Sequence, residues 1–129
     1  MKIIAHGIDL VDFGRIESMI ERHGGRFLDK VFTAQEQSDA DKIANRVEKL
    51  AGRFAAKEAV LKLLGTGWRG KISWTDIEVT NSALGQPMVK LGGEVKRIAG
   101  AAGIEQVTLS ITHTANFAIA SAVALANLE

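Results

Sequence analysis

The chain has 129 residues, of which 47% are hydrophobic and 24% are charged, and these values suit one domain, residues 1–129, around a single core. Its 16 basic and 15 acidic residues nearly cancel, so the composition gives no reason to expect disorder or a nucleic-acid partner. There is no cysteine, which excludes a disulfide framework, a thiolate zinc site and a cysteine nucleophile, and leaves oxygen or histidine ligands for any metal.

The first part of the chain predicts a strand followed by helices. Residues 2–11 are rich in Ile and Val and predict the strand, and Asp12 is placed to cap a helix over about 13–23. A Gly-Gly pair ends that helix. Thr33 and Glu36 have the spacing of a capping box, which predicts the start of a short helix.

The rest of the chain predicts one long helix and a set of strands. Apolar residues recur at helical spacing over about 43–64, and Gly65 follows where a left-handed cap is required. The later segments predict strands at 72–80, 87–91, 107–112 and 117–125, with a helix at 93–102. This order predicts an α+β fold with a mostly antiparallel sheet and a long central helix.

The chain has no pattern of an export or membrane signal. The apolar stretch before Asp9 is too short for a signal sequence. The longest apolar stretch, residues 117–126, has about half the length that a bilayer crossing needs. We therefore expect a cytoplasmic protein without a membrane partner.

Asp9 breaks the pattern of its predicted strand. It shares strand parity with four small or apolar residues, Ile3, Ala5, Gly7 and Val11. Burying a carboxylate there without compensation costs on the order of several kcal/mol, so a cation, a donor or a metal is expected beside it. The alternative is an aspartate at a strand end that caps the next turn.

Glu58 is a similar exception on the long helix. It lies on a helical stripe whose other members are apolar: Val47, Ala51, Phe54 and Leu61. The alternative is an ordinary surface pair with Lys62, one turn later. Two acids placed against their patterns, in a chain without soft ligands, are consistent with a shared Mg²⁺, which accepts one or two carboxylates and leaves positions for phosphate oxygens.

Basic residues line a neighbouring face of the same helix. Arg46, Lys49, Arg53 and Lys57 recur at helical spacing, where like charges repel. A ligand with several phosphates would relieve that repulsion, although a solvated basic face is the simpler interpretation.

Two further segments have both a functional and a simpler interpretation. Gly65, Thr66 and Gly67 form a Gly-x-Gly loop that could bring backbone N–H groups to an anion, or could only cap the helix. His113 lies in a polar segment between two apolar strands, where a histidine serves in a turn more often than in catalysis.

Together these segments resemble the holo-[acyl-carrier-protein] synthase family of the phosphopantetheinyl transferases. The resemblance covers essentially the whole chain, and Gly85-Gln86-Pro87 fits the family's turn between two strands. Four blocks carry it in order: Gly7-Ile8-Asp9-Leu10-Val11, Val31-Phe32-Thr33 with Glu36, Arg53-Phe54-Ala55-Ala56-Lys57-Glu58-Ala59 continuing to Gly67, and Ser110-Ile111-Thr112-His113-Thr114.

The resemblance implies a transfer of 4′-phosphopantetheine from coenzyme A to a serine of an acyl carrier protein, in fatty acid biosynthesis. It implies that Asp9 and Glu58 hold Mg²⁺ and that Lys62 neutralises the phosphate, with His113 also at the catalytic centre. The implied coenzyme A contacts are Arg53, Lys57, Lys62, Gly65, Thr66, Gly67, Gln86, Pro87, His113 and Thr114. The implied carrier surface is Arg15, Met19, Arg22 and Arg26, and the implied assembly is a homotrimer with its pockets between subunits.

Several alternatives stay open at this point. The carrier could belong to polyketide or peptide synthesis, and a non-catalytic coenzyme A-binding trimer is a different class of protein. Asp9, Glu58 and Lys62 argue against the second, because a module that only binds does not need the residues of a reacting centre. The general base, the choice between Mg²⁺ and Mn²⁺, and the affinities are not determined by the sequence.

Overall fold

Five α-helices and five strands form the computed structural model, which describes residues 1–127; residues 128 and 129 of the predicted domain lie outside the described part. In chain order the elements are β1 Lys2–Asp12, α1 Phe13–His23, α2 Gly25–Val31, α3 Ala34–Asp41, α4 Arg46–Leu64, β2 Ile77–Asn81, β3 Pro87–Leu91, α5 Gly93–Ala101, β4 Gln106–His113 and β5 Phe117–Ala126. A 3₁₀ turn, Trp74–Asp76, precedes β2.

The strands form two antiparallel sheets. One has the order β1-β5-β4, and the other is the β2-β3 hairpin. The predicted α+β class with antiparallel pairing is confirmed, but the hairpin strands do not join the larger sheet. Helix α4 packs against the inner face of that sheet, and its residues from Leu50 to Lys57 are all buried.

Small residues on the sheet let α4 approach it closely. On β5 the inner-facing positions are alanines, and Ala118, Ala120, Ala122 and Ala124 are fully buried. Their side chains add little thickness, so the helix backbone lies near the strands. The register places Asp9 of β1 opposite Ala120, in the middle of this face.

The local capping predictions are confirmed. Asp12 accepts a hydrogen bond from Gly14 N at the start of α1, and Thr33 forms a reciprocal capping box with Glu36 at the start of α3. Gly65 closes α4 with a left-handed φ of 76°.

One helix was missed in the sequence prediction, and the starts of two other elements differ from it. Helix α2 was missed, because the Gly-Gly pair ends α1 at Gly24 and lets a new helix begin at the next residue. Helix α4 begins at Arg46, where Asn45 caps it, and not near residue 43. The predicted strand at 72–80 begins only at Ile77, because Asp76 Oδ2 accepts from Ser73 N and closes the 3₁₀ turn first.

Candidate active site

The closest approach of strand and helix is at Gly7 of β1. A Cβ built on Gly7 would lie 2.0 Å from the backbone oxygen of Ala59 and 2.8 Å from Leu63 N, so no other residue fits without moving the backbone. Asp9 lies two residues further along and therefore projects from the same face of β1. This contact brings Asp9 to the C-terminal half of α4.

Asp9 and Lys62 form a direct ion pair. Lys62 Nζ donates to Asp9 Oδ1 at 3.0 Å and to the backbone oxygen of Ile8 at 3.0 Å. The Asp9 side chain is only 14% exposed, whereas Lys62 is 56% exposed. The carboxylate is thus largely withdrawn from water, as its strand parity predicted. Lys62 pairs across to β1, so within the described residues the surface pair between Glu58 and Lys62 is not formed.

Glu58 is half-buried beside Asp9. Burial raises the pKa of Glu58 above its ordinary value of 4.5, and the negative charge of Asp9 raises it further. Contact with Trp68, and the charges of Arg15 and Lys62, oppose the rise in this pKa. Trp68 Nε1 is buried without a well-formed hydrogen bond within the described residues, so Trp68 opposes the rise only weakly. Asp9, Glu58 and Lys62, three of the predicted site residues, therefore lie together.

The two acids form a donor set that suits a hard cation. Their mutual repulsion is the kind that a divalent cation relieves, and two carboxylates are what Mg²⁺ accepts from a protein when phosphate supplies other ligands. The described residues include no group of three or more acids or histidines placed to hold a metal ion, so an all-protein metal cage is not present among them. The chemistry of the pair fits Mg²⁺ shared with a substrate.

The predicted basic face is not solvated at its centre. Lys57 is fully buried; its Nζ lies 2.8 Å from Glu36 Oε1 and also donates to the backbone oxygens of Trp74 and Ile77. Burial lowers the pKa of Lys57, and Glu36 opposes that change. The solvated-face interpretation is therefore wrong for this lysine. Its predicted contact with coenzyme A stays a prediction, and in this conformation its Nζ is bound within the protein.

Arg53 is also buried, with 3% exposure, and its Nη2 donates to Asn81 Oδ1 at 2.8 Å. Lys49 Nζ donates to the same amide oxygen at 3.0 Å. The neutral Oδ1 of Asn81 thus accepts hydrogen bonds from two cationic side chains. Burial lowers the pKa of Lys49, and the positive charge of Arg53 lowers it further. Asp39 Oδ2 lies 4.0 Å from Arg53 Nη2 and offsets part of this positive charge. The predicted contact of Arg53 with coenzyme A stays a prediction.

The Gly-x-Gly loop follows α4 directly. Gly65 and Gly67 both have positive φ, 76° and 64°, and Thr66 Oγ1 donates to the backbone oxygen of Gly67 at 3.1 Å. The helix-cap interpretation is confirmed for Gly65. The predicted anion contacts of the three residues remain predictions.

Gln86 and Pro87 lie elsewhere, at the tip of the β2-β3 hairpin. They border a cleft of about 580 Å³ between that hairpin, α5 and β4, whose other walls include Met88, Lys96 and Leu109. Asp9, Glu58 and Lys62 do not border this cleft. Within the described chain, the predicted coenzyme A contacts therefore do not all line one pocket.

His113 and Thr114 lie at the end of β4. Thr114 Oγ1 accepts from the backbone N atoms of Asn116 and Phe117, at 3.2 and 3.1 Å, so this threonine stabilises the turn before β5. His113 Nε2 lies 2.8 Å from Glu48 Oε1 on the first turn of α4. His113 is thus partnered and 53% exposed, and its predicted contact with coenzyme A stays a prediction.

The predicted carrier surface is divided between two helices. Arg15 and Arg22 are exposed on α1, and the guanidinium of Arg15 lies 4.9 Å from the ring centroid of Phe54. Met19 is partly buried against the core, and Arg26 lies on α2 instead of α1. Their role in carrier binding is not tested by these contacts.

An aromatic cluster beside Glu58 was not foreseen. Trp68 stacks on Trp74, with ring centroids 3.6 Å apart, and Trp74 stacks on Phe54 at 4.9 Å. The cluster contributes to the burial that raises the pKa of Glu58. A signal was available, because both tryptophans of the chain fall in the short segment that follows the Gly-x-Gly loop.

Comparison with known proteins assigns the chain to one superfamily of enzymes. The family model of the 4′-phosphopantetheinyl transferase superfamily matches residues 5–121. This range includes every site residue predicted above, from Asp9 to Thr114.

Relatives within that class are similar over nearly the full chain. The holo-[acyl-carrier-protein] synthase of Solibacter usitatus is 41% identical, covering 94% of this chain and 97% of the relative. That of Halothermothrix orenii is 44% identical, covering 91% and 93%. The chain therefore belongs to the holo-[acyl-carrier-protein] synthase family of the 4′-phosphopantetheinyl transferase superfamily.

Solved structures agree with this assignment. The crystal structure of holo-[acyl-carrier-protein] synthase from Neisseria meningitidis has a TM-score of 0.88 at 33% identity, covering 96% of this chain and 99% of that one. The Helicobacter pylori synthase in complex with coenzyme A has a TM-score of 0.82 at 32% identity, covering 93% and 99%. None of the described helices is both long and apolar enough to cross a membrane.

Proposed function

We propose that this protein transfers 4′-phosphopantetheine from coenzyme A to a serine of an apo-acyl carrier protein, giving the holo-carrier and adenosine 3′,5′-bisphosphate. The serine oxygen forms a bond to the β-phosphorus of coenzyme A. The bond from that phosphorus to the bridging oxygen breaks, and the serine proton passes to a base. Family membership and relatives that bind coenzyme A support this reaction.

The observation that carries the proposal is the cluster of Asp9, Glu58 and Lys62. A displacement at phosphorus requires charge neutralisation and positioning more than covalent help from the protein. Lys62 is half-exposed, so its Nζ can contact an incoming phosphate while it remains next to Asp9. Its positive charge would stabilise the charge that develops on the leaving diphosphate oxygen.

Glu58 is the best-placed base. In the metal-free protein, burial and Asp9 raise the pKa of Glu58, so its carboxylate accepts a proton more readily than an exposed glutamate does, whereas a bound Mg²⁺ would lower this pKa. Trp68 lies beside this carboxylate and stacks on Trp74, so the two rings would limit the access of water to it. Glu58 would therefore receive the serine proton during the attack.

Asp9 and Glu58 would also hold Mg²⁺, which when bound supplies positive charge to the phosphate oxygens. The low exposure of Asp9, the half-burial of Glu58 and the repulsion between the two carboxylates support a cation there. The dependence on Mg²⁺ is part of the proposal.

A homotrimer with pockets between subunits is also part of the proposal. The outer face of the larger sheet carries exposed apolar side chains, with Ile8 at 53% and Leu10 at 56% exposure, which is typical of a surface that another subunit covers. The separation of Gln86 and Pro87 from Asp9 and Glu58 would be resolved if two subunits supplied the two groups. Light scattering should give three times the chain mass, and a fully active monomer would contradict this assembly.

In this proposal the carrier protein is the one that serves fatty acid synthesis. The cytoplasmic location expected from the sequence stays a prediction.

The proposed reaction is tested by incubation of the protein with coenzyme A, Mg²⁺ and apo-acyl carrier protein, followed by intact mass measurement of the carrier. The carrier should gain one phosphopantetheine group, and the gain should require both coenzyme A and the protein. An unchanged carrier mass under these conditions would overturn the proposed reaction.

A further inference from the structure

A contact outside the Asp9, Glu58 and Lys62 cluster connects α4 to the end of β4. His113 Nε2 lies 2.8 Å from Glu48 Oε1. A carboxylate can only accept, so the hydrogen lies on Nε2 and is donated to Glu48. This interaction leaves Nδ1 as the ring nitrogen that a ligand can reach, on a side chain that is 53% exposed.

Glu48 is itself held in place. Its second carboxylate oxygen, Oε2, accepts from Asn45 Nδ2 at 2.8 Å, and its backbone N donates to Asn45 Oδ1 at 3.1 Å. Asn45 is the N-cap of α4, the longest of the described helices. Each oxygen of the Glu48 carboxylate therefore has one partner, and its orientation is determined by the start of a buried helix.

The packing of α4 on β4 explains why this carboxylate reaches the histidine. Gly52, one helical turn after Glu48, faces Ile111, and a Cβ at Gly52 would lie only 3.3 Å from Ile111 Cγ2. Ile111 and His113 project from the same face of β4, because side chains alternate along a strand. The close approach at Gly52 therefore brings the preceding turn of the helix to His113.

We propose that Glu48 is a positioning residue for His113: it holds the imidazole by Nε2 so that Nδ1, the acceptor nitrogen of the neutral ring, is directed to a hydrogen-bond donor of coenzyme A such as a hydroxyl or amino group. The proposal rests on the proposed function, in which His113 contacts the coenzyme. An isolated, half-exposed histidine would sample several rotamers, and holding one of them reduces the entropy lost when the ligand binds. The competing explanation is that the pair only fastens α4 to β4.

Steady-state kinetics with coenzyme A distinguish the two explanations. Glu48→Ala and His113→Ala should each raise the KM for coenzyme A by roughly 3- to 10-fold, the order expected for one lost hydrogen bond between neutral groups, with a smaller change in kcat. The double variant should be no worse than His113→Ala, because Glu48 acts through the histidine. Glu94→Ala is the matched control: it removes a first-turn glutamate from α5 and should leave the KM unchanged.

Nitrogen-15 spectra of the imidazole in the free protein give a second readout that does not depend on activity. In the wild type the neutral ring of His113 should carry its hydrogen on Nε2, and Glu48→Ala should turn it into a mixture of tautomers. The positioning role would be overturned if Glu48→Ala raised the KM for coenzyme A as much in the His113→Ala background as it does in the wild type. It would also be overturned if Glu48→Ala left the tautomer of His113 unchanged. Absence of transfer by the wild type would instead defeat the proposed function, and the spectra would still decide the role of Glu48.

Discussion

Asp9 and Glu58 lie in one partly buried cluster and repel each other, and this repulsion raises the pKa of Glu58. Its pKa is higher in the folded chain than in the unfolded one, because burial and Asp9 disfavour the charged form. The folded state therefore binds the proton of the Glu58 carboxyl group more tightly than the unfolded state does. The stability linked to the proton is fully present below the ordinary pKa of 4.5 and is lost as the pH rises through the raised value.

Glu58→Gln removes this linkage and should therefore change the pH dependence of stability. In metal-free protein we expect the variant to be as stable as the wild type or more stable at neutral pH, with the difference disappearing towards pH 4.5. Thermal unfolding across this pH range provides the measurement. Glu17→Gln, at an exposed acid on α1, is the control and should show no such trend. A variant clearly less stable than the wild type at neutral pH would contradict the burial argument.

At the scale of elements, the site depends on how closely β1 and α4 approach. Gly7→Ala should place a methyl group against the backbone of Ala59 and force the strand and the helix apart. Overpacking of this kind costs about 1–3 kcal/mol, and the separation of Asp9 from Lys62 should lower turnover as well. Denaturant unfolding and a turnover assay measure the two effects.

Gly100→Ala is the matched control for that change. Gly100 lies in α5 with no atom within 4 Å of a built Cβ, so an alanine should stabilise the helix by about 0.4–1 kcal/mol. If Gly7→Ala behaved like Gly100→Ala, the close approach would not be what positions Asp9.

The buried pair of Lys57 and Glu36 joins α4 to α3 and β2. Glu36 Oε2 also accepts from Val79 N at 2.8 Å, and its Oε1 accepts from Thr33 N at 2.9 Å. Lys57→Met would leave this carboxylate buried without its cation, and we expect a loss of about 3–5 kcal/mol in the free energy of unfolding. Lys62→Met, on the same helix but exposed, should cost no more than about 1 kcal/mol. Similar losses for the two variants in denaturant unfolding would contradict this view of the pair.

The elements that could be predicted from sequence are those with local signals. The caps at Asp12, Thr33 and Gly65 depend on neighbouring residues alone, and they were predicted correctly. The burial of Lys57 could not be predicted, because its partner Glu36 comes from another helix and its carbonyl partners follow α4. In the same way, the sequence identified Asp9 and Glu58 as acids at positions where apolar residues were expected. The close approach of β1 and α4 at Gly7, which brings the two acids together, could not be predicted from it.

At the scale of the whole molecule, the exposed arginines of α1 lie outside the phosphate-binding cluster. Arg22→Glu should raise the KM for the carrier roughly 3- to 10-fold and make it less sensitive to salt, while the KM for coenzyme A changes little. Arg15→Glu should act in the same direction, with an added effect on turnover because Arg15 influences the pKa of Glu58. Steady-state kinetics at two salt concentrations provide the measurement. An unchanged carrier KM in both variants would remove this docking surface.

The central claim is that Asp9 and Glu58 act as one unit in the transfer of phosphopantetheine. The most direct test is the rate of holo-carrier formation by Asp9→Asn, Glu58→Gln and the double variant across a Mg²⁺ titration, with thermal melts recorded alongside. We predict a fall in turnover of roughly 10²- to 10³-fold in each single variant, little further loss in the double variant, and folding preserved in all three. Near-normal turnover in either single variant at ordinary Mg²⁺, or losses that only follow unfolding, would contradict the account.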